Sequence, residues 1–281
     1  MSPSLPARAV ALLACPVCAA GLTEVGGALV CASGHSFDRA KQGHVTLLPP
    51  GGARHDGDSA AMVADRAAFL GAGHYAGVTE ALAEAVLDAG EPETVLDLGG
   101  GTGQHLAGVL DRAPGAVGVV LDASRYAARR AARSHPRAMA VVADSWSRLP
   151  VKSASVDRVL VVFAPRNGAE TARVLTPHGQ LVVVTPAAAH LGELVGPLGM
   201  LSVDPDKTTR LADSLEPHLV PLSERRREDV LVLDRAAVAT LVGMGPHARH
   251  LSLPELADAV SRLPERVPVT VAVDVRTYGR R

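Results

Sequence analysis

Two periods organise the apolar positions of this chain. Between Ala60 and Ala89 they recur at helical spacing, first Ala61, Val63, Ala64, Ala67 and Ala68, then Val78, Leu82 and Val86. This predicts two helices joined by a turn at Phe69-Leu70-Gly71-Ala72-Gly73-His74-Tyr75. Beyond Glu93 the pattern changes to short, nearly unbroken runs: Thr94-Val95-Leu96-Asp97-Leu98, Gly118-Val119-Val120-Leu121, Val141-Val142-Ala143, Ser155 to Val162, and Leu181 to Val184. Such runs are buried strands, and strands alternating with helices predict a parallel sheet with ligands at the strands' carboxyl ends. The last third predicts strands around Leu219–Ser223 and Asp229–Leu233, helices over 234–243 and 253–263, and a final strand over 267–276. These would complete the sheet with antiparallel strands.

The chain has 281 residues, enough for one substantial α/β domain and a small appendage. Aromatic residues make up only 2%, so the core must be built from Val, Leu and Ala. A formal net charge of −1 gives no global field for nucleic acid, so any RNA contact must be a local patch. No apolar run approaches the length of a membrane span. The short apolar run before Cys15 has no clear cleavage site and reads as mature sequence, which makes a cytoplasmic location the expectation.

The three cysteines fall close together and a histidine follows: Cys15-Pro16-Val17-Cys18, twelve residues, Cys31, three residues, His35. Zinc takes thiolate and imidazole ligands in a tetrahedron, and two short turns can each supply a pair. With no spare ligand in sight the site is expected to be structural, stabilising a unit too small to bury its own core. Phe37 is expected in the core of that unit. Unrelated buried or free cysteines are the bland alternative. Residues 49–60, rich in Pro, Gly and charge, read as a linker. The expected division is therefore 1–48, a zinc-binding unit, and 61–281, the α/β domain.

After the strand ending at Leu98 comes the turn Gly99-Gly100-Gly101-Thr102-Gly103, then Gln104 and His105 at a helix start. Glycines let backbone pass under a ligand where any Cβ would clash. Asp122, at the tip of the next strand, can accept hydrogen bonds from both hydroxyls of a ribose. An ordinary tight turn is the alternative for the glycines, and a helix N-cap is the alternative for Asp144 at the end of the third strand. The spacing Gly99-x-Gly101-x-Gly103, with Asp97 just before it, differs from the dinucleotide fingerprint, which disfavours a dehydrogenase. It resembles the first motif of class I S-adenosylmethionine-dependent methyltransferases. Leu149-Pro150, the Ser155–Val162 strand, and Arg173 through the Pro177–Gly179 turn into the Leu181 strand resemble the same family, with His178 where a second glycine is usual. The resemblance implies a Rossmann-like, seven-stranded sheet, and Asp144 at the adenine amino group.

Both halves together resemble the bacterial 23S rRNA guanine-N1 methyltransferases, including those that give macrolide (tylosin-type) resistance. The resemblance runs nearly end to end. It is carried by the zinc motif, Gln42-Gly43-His44-Val45, Arg66-x-x-Phe69-Leu70, Gly73-His74-Tyr75, and Gly99 to His105. It continues through Phe163-Ala164-Pro165-Arg166-Asn167, Thr185-Pro186, His190-Leu191-x-Glu193-Leu194 and Met244-Gly245-Pro246. It implies methyl transfer to guanine N1 in a hairpin loop near the peptide exit tunnel, a zinc unit that helps hold the RNA, and a homodimer. It also implies that the cofactor is touched by Tyr75, Gln104-His105 and His190.

Arg125, Arg129, Arg133 and Arg137 recur every four residues, with Arg130 beside them, and on one helix would form a phosphate-binding stripe or a solvated face. Arg225-Arg226-Arg227 is expected near a hairpin turn. Phe163 to Asn167 is expected beside the reacting methyl, with Arg166 or Asn167 steadying guanine O6; His105, His190 and Asp144 are candidate bases. Tyr75, Trp146 and Phe163 are the aromatics that could stack on a base, with core packing the alternative for the last two. Met244-Gly245-Pro246-His247 either closes the cleft or ends a helix. Two rival functions remain: a small-molecule methyltransferase, which does not need the zinc unit, and a non-enzymatic zinc- and cofactor-binding module.

Overall fold

The structure is a computed structural model describing residues 4–49, 51–52, 57–200, 207–245, 247 and 253–281. Parts of the expected linker, and Pro246 of the Met244–His247 segment, lie outside the described residues.

The runs read as strands form a single sheet. Its central parallel strands are β5 (Thr94–Leu98), β6 (Val117–Asp122), β7 (Ala138–Val142), β8 (Val156–Val162) and β9 (Leu175–Pro186). The long antiparallel strands β10 (Leu219–Asp234) and β11 (Arg266–Arg280) extend it, and the order β10-β11-β9-β8-β5-β6-β7 provides the seven expected strands. An eighth, β4 (Val45–Thr46), is added parallel to β7 at the far edge. Ahead of it lie helix α1 (Ala7–Ala11) and a separate three-stranded antiparallel sheet of β1 (Leu22–Val25), β2 (Ala28–Cys31) and β3 (Ser36–Asp38).

Successive side chains of a buried strand face opposite sides of the sheet. Val95 and Val120 accordingly join the core under α2 (Ala60–Gly71), α3 (Ala76–Leu87) and α4 (Gln104–Arg112), while Leu96, Leu98, Val119 and Leu121 face the other way. That second face is covered by α6 (Gly168–Val174), α8 (Lys207–Leu215) and the N-terminal unit, whose Val10, Leu13, Leu22 and Leu29 share one core with the strands. Phe37 is partly buried against the same core. Helices α7 (Gly192–Leu198), α9 (Arg235–Gly243) and α10 (Leu253–Ser261) complete the first face, with α5 (Arg125–Ala131) between β6 and β7.

Two expectations are corrected. Leu219–Ser223 and Asp229–Leu233 are not separate strands around a turn. Pairing runs from Leu219↔Arg280 to Asp234↔Arg266 with one irregularity between Pro221 and Ser223, so Arg225–Arg227 lie mid-strand. Their charges are met locally: Arg225 by Asp88 at 2.6 Å, Arg226 by Asp274 at 2.8 Å and Arg227 by Asp229 at 2.9 Å. The arginine stripe also fails, because α5 stops at Ala131. Arg137 lies beyond it and donates to the carbonyls of Ala113 at 2.7 Å, Ala116 at 2.6 Å and Leu110, at the exit of α4. Arg125, Arg129, Arg130 and Arg133 remain exposed. No helix among the described residues is long and apolar enough to cross a membrane.

Candidate functional site

The metal-ligand set comes together as the spacing requires. Cys15 Sγ and Cys31 Sγ lie 3.6 and 3.3 Å from His35 Nδ1, and Cys18 Sγ lies 3.7 Å from Cys31 Sγ. All four ligand atoms fall within 4.8 Å of one another. A tetrahedron with Zn–S near 2.3 Å and Zn–N near 2.05 Å has edges of about 3.8 and 3.6 Å, so the residues fit zinc. Each ligand pair sits on a tight reversal: Ala19 N–H bonds the Cys15 carbonyl at 2.8 Å, and Gly34 N–H, with φ +83°, bonds the Cys31 carbonyl at 2.9 Å. Donors aimed at Cys18, chiefly the Ala20 N–H and the Ser33 side chain, push its thiol down to about 6, toward the thiolate a metal takes.

At the carboxyl ends of the strands, Gly99, Gly101 and Gly103 hold φ of +68°, +57° and +78°, a region closed to most side chains. Gly100 lies against the carboxylate of Asp97, which any Cβ there would strike. Asp97 is 1% exposed, and neither carboxylate oxygen has a hydrogen-bond partner. Burial, then the charge of Asp122, pushes it up to about 7. A buried, unpartnered carboxylate under a glycine cradle fits the ammonium of an amino-acid ligand. Asp122 accepts Gly101 N–H at 2.9 Å and Ser124 N–H at 2.8 Å, which fixes it at the mouth of the cradle.

Tyr75 and His190 meet across the site, hydroxyl to Nε2 at 3.5 Å. Phe163 completes an aromatic wall, with centroids 6.0 Å from Tyr75 and 5.7 Å from His190. His105 instead turns inward. Its Nδ1 lies 2.8 Å from the Thr79 hydroxyl, and burial, reinforced by the Arg66 charge, pushes it down to about 4. Gln104 accepts the Thr102 hydroxyl at 2.7 Å. Asp144 is buried and accepts Trp146 N–H at 2.9 Å and the Ser147 hydroxyl at 3.1 Å, so it shapes the loop that carries Trp146.

Beside the cradle lies a cavity of about 500 Å³ whose lining includes Trp146, Phe163, Ala164, Pro165, Arg166 and Arg210. Cavity and cradle share a wall: a Cβ on Gly99 would stand 2.6 Å from the Ala164 methyl. Core packing is overturned for both aromatics, since Trp146 is 50% and Phe163 42% exposed. Phe163 holds φ +52°, the kind of strained backbone that concentrates at working sites. Arg166 is half-buried in this wall; burial and the Arg210 charge draw its pKa down, and Tyr278 acts against them. Asn167 lies outside the lining. Its Oδ1 caps α6 through Glu170 N–H at 3.2 Å and its Nδ2 donates to the Ser145 carbonyl at 3.2 Å, so its amide holds the Trp146 loop. Arg210 was missed in the sequence because a single arginine on a polar helix carries no signal. Arg66, read only as part of a motif, lies directly over the glycine cradle.

Comparison with known proteins decides the family. A relative from Micromonospora griseorubida, described as a 23S rRNA (guanine-N(1)-)-methyltransferase, is 50% identical over 95% of this chain and 96% of its own length. The Streptomyces fradiae 23S rRNA (guanine(748)-N(1))-methyltransferase is 46% identical over 94% of this chain and 95% of its own. The chain belongs to the 23S rRNA (guanine-N1)-methyltransferase family. Within that frame, the zinc-ribbon family described as RlmA, N-terminal, matches residues 13–51, and the methyltransferase domain family matches residues 95–179. A chain of the complex between the Haloferax volcanii Trm112 methyltransferase activator and a methyltransferase shares the fold, with a TM-score of 0.52 at 19% identity, over 80% of this chain and 97% of that one. This methyltransferase thus pairs an S-adenosylmethionine cradle with a structural zinc site, as its donor sets require.

Proposed function

We propose that this chain methylates N1 of a guanine in a hairpin loop of 23S rRNA near the peptide exit tunnel. The guanine is the one that the name of the Streptomyces fradiae relative numbers 748, and, as the family resemblance implies, its methylation gives macrolide resistance of the tylosin type. The observation that carries this reading is the wall shared by cradle and cavity. Gly99 packs on Ala164, so a base held between Trp146 and Phe163 lies against the cofactor turn. Tyr75, Asp97, Gly99, Gly101, Gly103, Gln104, His105, Asp122, Asp144 and His190 form the cofactor side, with His105 and Asp144 acting through the elements they hold.

Bound S-adenosylmethionine supplies an electrophilic methyl on a sulfonium. Guanine N1 gives its proton to solvent, the anion so formed shares its negative charge with O6, and that charge is discharged as the N1–CH₃ bond forms and the S–CH₃ bond breaks, leaving S-adenosylhomocysteine. Arg166 stabilises that charge from the half-buried wall, where a cation is worth more than in water. Asn167 positions the loop. Residues 1–48 form the RNA-holding unit and residues 61–281 the catalytic domain, joined through 49–60; the shared core fixes the first against the second. The location is the cytoplasm, where ribosomal RNA is. The active form is a homodimer, supported by the exposed Val230 and Val232 on edge strand β10; light scattering of the purified chain tests it.

The deciding assay is methyl transfer from tritiated S-adenosylmethionine to unmethylated 23S rRNA, with primer extension to map the stop. A single stop at the proposed guanine is expected, and R166A should cut turnover about 100-fold. No incorporation into RNA, with cofactor binding intact, would refute the reading in favour of a small-molecule substrate.

A further inference from the structure

The glycine cradle has a buried anion beneath it and a cation above it. Asp97 supplies the anion. The cation is Arg66, on α2, whose guanidinium lies along the outer surface of the turn: a Cβ on Gly101 would stand 3.3 Å from its Cδ and its Nη1. The fork is held in place from two sides. Nη1 donates to the Asp58 carboxylate, and Nη2 donates to the Met244 carbonyl at 2.9 Å. The Asp58 carbonyl in turn accepts the Ser124 hydroxyl at 2.7 Å, beside Asp122. The charge of Arg66 reaches both ends of the cradle, since it acts on Asp122 and on His105.

The amino-acid end of S-adenosylmethionine is a zwitterion with ammonium and carboxylate on one carbon. An anion and a cation on either side of a close-approach backbone can receive it, and that is what Asp97, the glycines and Arg66 provide. Arginine suits the second role because its planar fork matches a carboxylate and keeps its charge when partly buried. Asp58 already shows this fork bonding a carboxylate, and Nε and the other Nη hydrogens remain for a second. We propose that Arg66 recognises the carboxylate of the cofactor's methionine moiety, with Asp58 and Met244 orienting the guanidinium. The proposal rests on the cofactor class alone and is independent of the RNA substrate.

The test is calorimetric binding of the full-length chain to three ligands. These are S-adenosylhomocysteine, its analogue 5′-deoxy-5′-(3-aminopropylthio)adenosine, which keeps the amine and lacks the carboxylate, and 5′-methylthioadenosine, which lacks both. The wild type should bind S-adenosylhomocysteine about 10- to 100-fold tighter than the aminopropyl analogue. In R66Q that ratio should collapse to about one, with the methylthioadenosine Kd unchanged within about twofold, a factor too small to signal a lost hydrogen bond. R66K, which keeps the charge and loses the fork, should restore part of the ratio. A ratio preserved in R66Q overturns the proposal. So does an equal loss for all ligands, which would mean that Arg66 only braces the turn. Should R66Q not fold, a wild-type ratio near one overturns it without the variant. Failure of the wild type to bind any of the three would remove the cofactor assignment and the proposal together.

Discussion

The buried carboxylate of Asp97 carries a measurable penalty in the absence of ligand. It is 1% exposed, has no hydrogen-bond partner, and is pushed from an ordinary 3.8 up to about 7 by burial and by Asp122. A raised folded pKa means that the folded state holds the proton more tightly than the unfolded one. The resulting stability is complete below the unfolded value, near 4, and is lost as pH rises through about 7. At about 1.36 kcal/mol per unit, the change between pH 5 and pH 8 is about 3 kcal/mol, or about 5 °C in Tm for a chain of this size. D97N removes the titration and keeps the shape. Its Tm relative to wild type should therefore rise by about that amount between pH 5 and pH 8, although the amide's own unmet donors cost about 1–3 kcal/mol at every pH. The assay is thermal unfolding of ligand-free wild type and D97N across that range. A Tm difference that does not vary with pH would refute the reasoning. S-adenosylhomocysteine should remove the wild-type pH dependence, because its ammonium favours the ionised carboxylate, and should bind D97N at least tenfold more weakly, as expected for a lost charged contact.

Metal analysis should find one zinc per chain, and C18S should lose it. Because the zinc unit shares its core with the sheet, chelation should lower the Tm of the whole protein in one transition and not melt a separate unit. W146A should raise the KM for RNA by about 10- to 100-fold with little change in S-adenosylhomocysteine affinity, as expected for a lost stacking platform; calorimetry and the tritium assay separate the two. R137A should cost about 1–2 kcal/mol in urea unfolding, through the lost guanidinium bonds to the Leu110, Ala113 and Ala116 carbonyls, the first two of which keep a backbone N–H donor, and leave the salt dependence of RNA binding unchanged. A shallower salt slope would restore the phosphate-stripe reading.

Elements whose burial leaves a periodic signature were legible in the sequence. The central strands, helices α2 and α3, the glycine cradle and the four zinc ligands all follow from local rules that tertiary context seldom overrides. Long strand β10 was not legible, because its middle, Glu224 to Asp229, is charged at every position, and charge reads as a turn. It is a strand because β11 offers partners at each step, including Asp274 for Arg226, with Arg276 bonding Glu224 at 2.6 Å. The arginine period failed for the opposite reason: a helical spacing was present, but the helix that would display it ends at Ala131. In the site, spacing could place Arg166 and Asn167 next to each other but could not tell that one lines the cavity while the other caps a helix. Adjacent residues at the start of a helix point in different directions, and only the packed structure assigns them.

The junction at Phe163–Ala164 joins the aromatic wall to the glycine cradle. Phe163 is held at φ +52° while its N–H bonds the Val184 carbonyl at 3.1 Å, so the chain turns sharply as it leaves β8. That turn sends the ring toward Tyr75 and His190 and sets the next residue, Ala164, against Gly99. A straighter exit would relieve the backbone and separate the aromatic wall from the cradle. The strain is modest, about 1–3 kcal/mol for a residue in this region, and the sheet that imposes it is buried on both faces. A transfer that depends on three atoms in line gains more from a fixed wall than it loses in stability. Glycine would relax the turn but remove the ring that packs toward Tyr75 and His190.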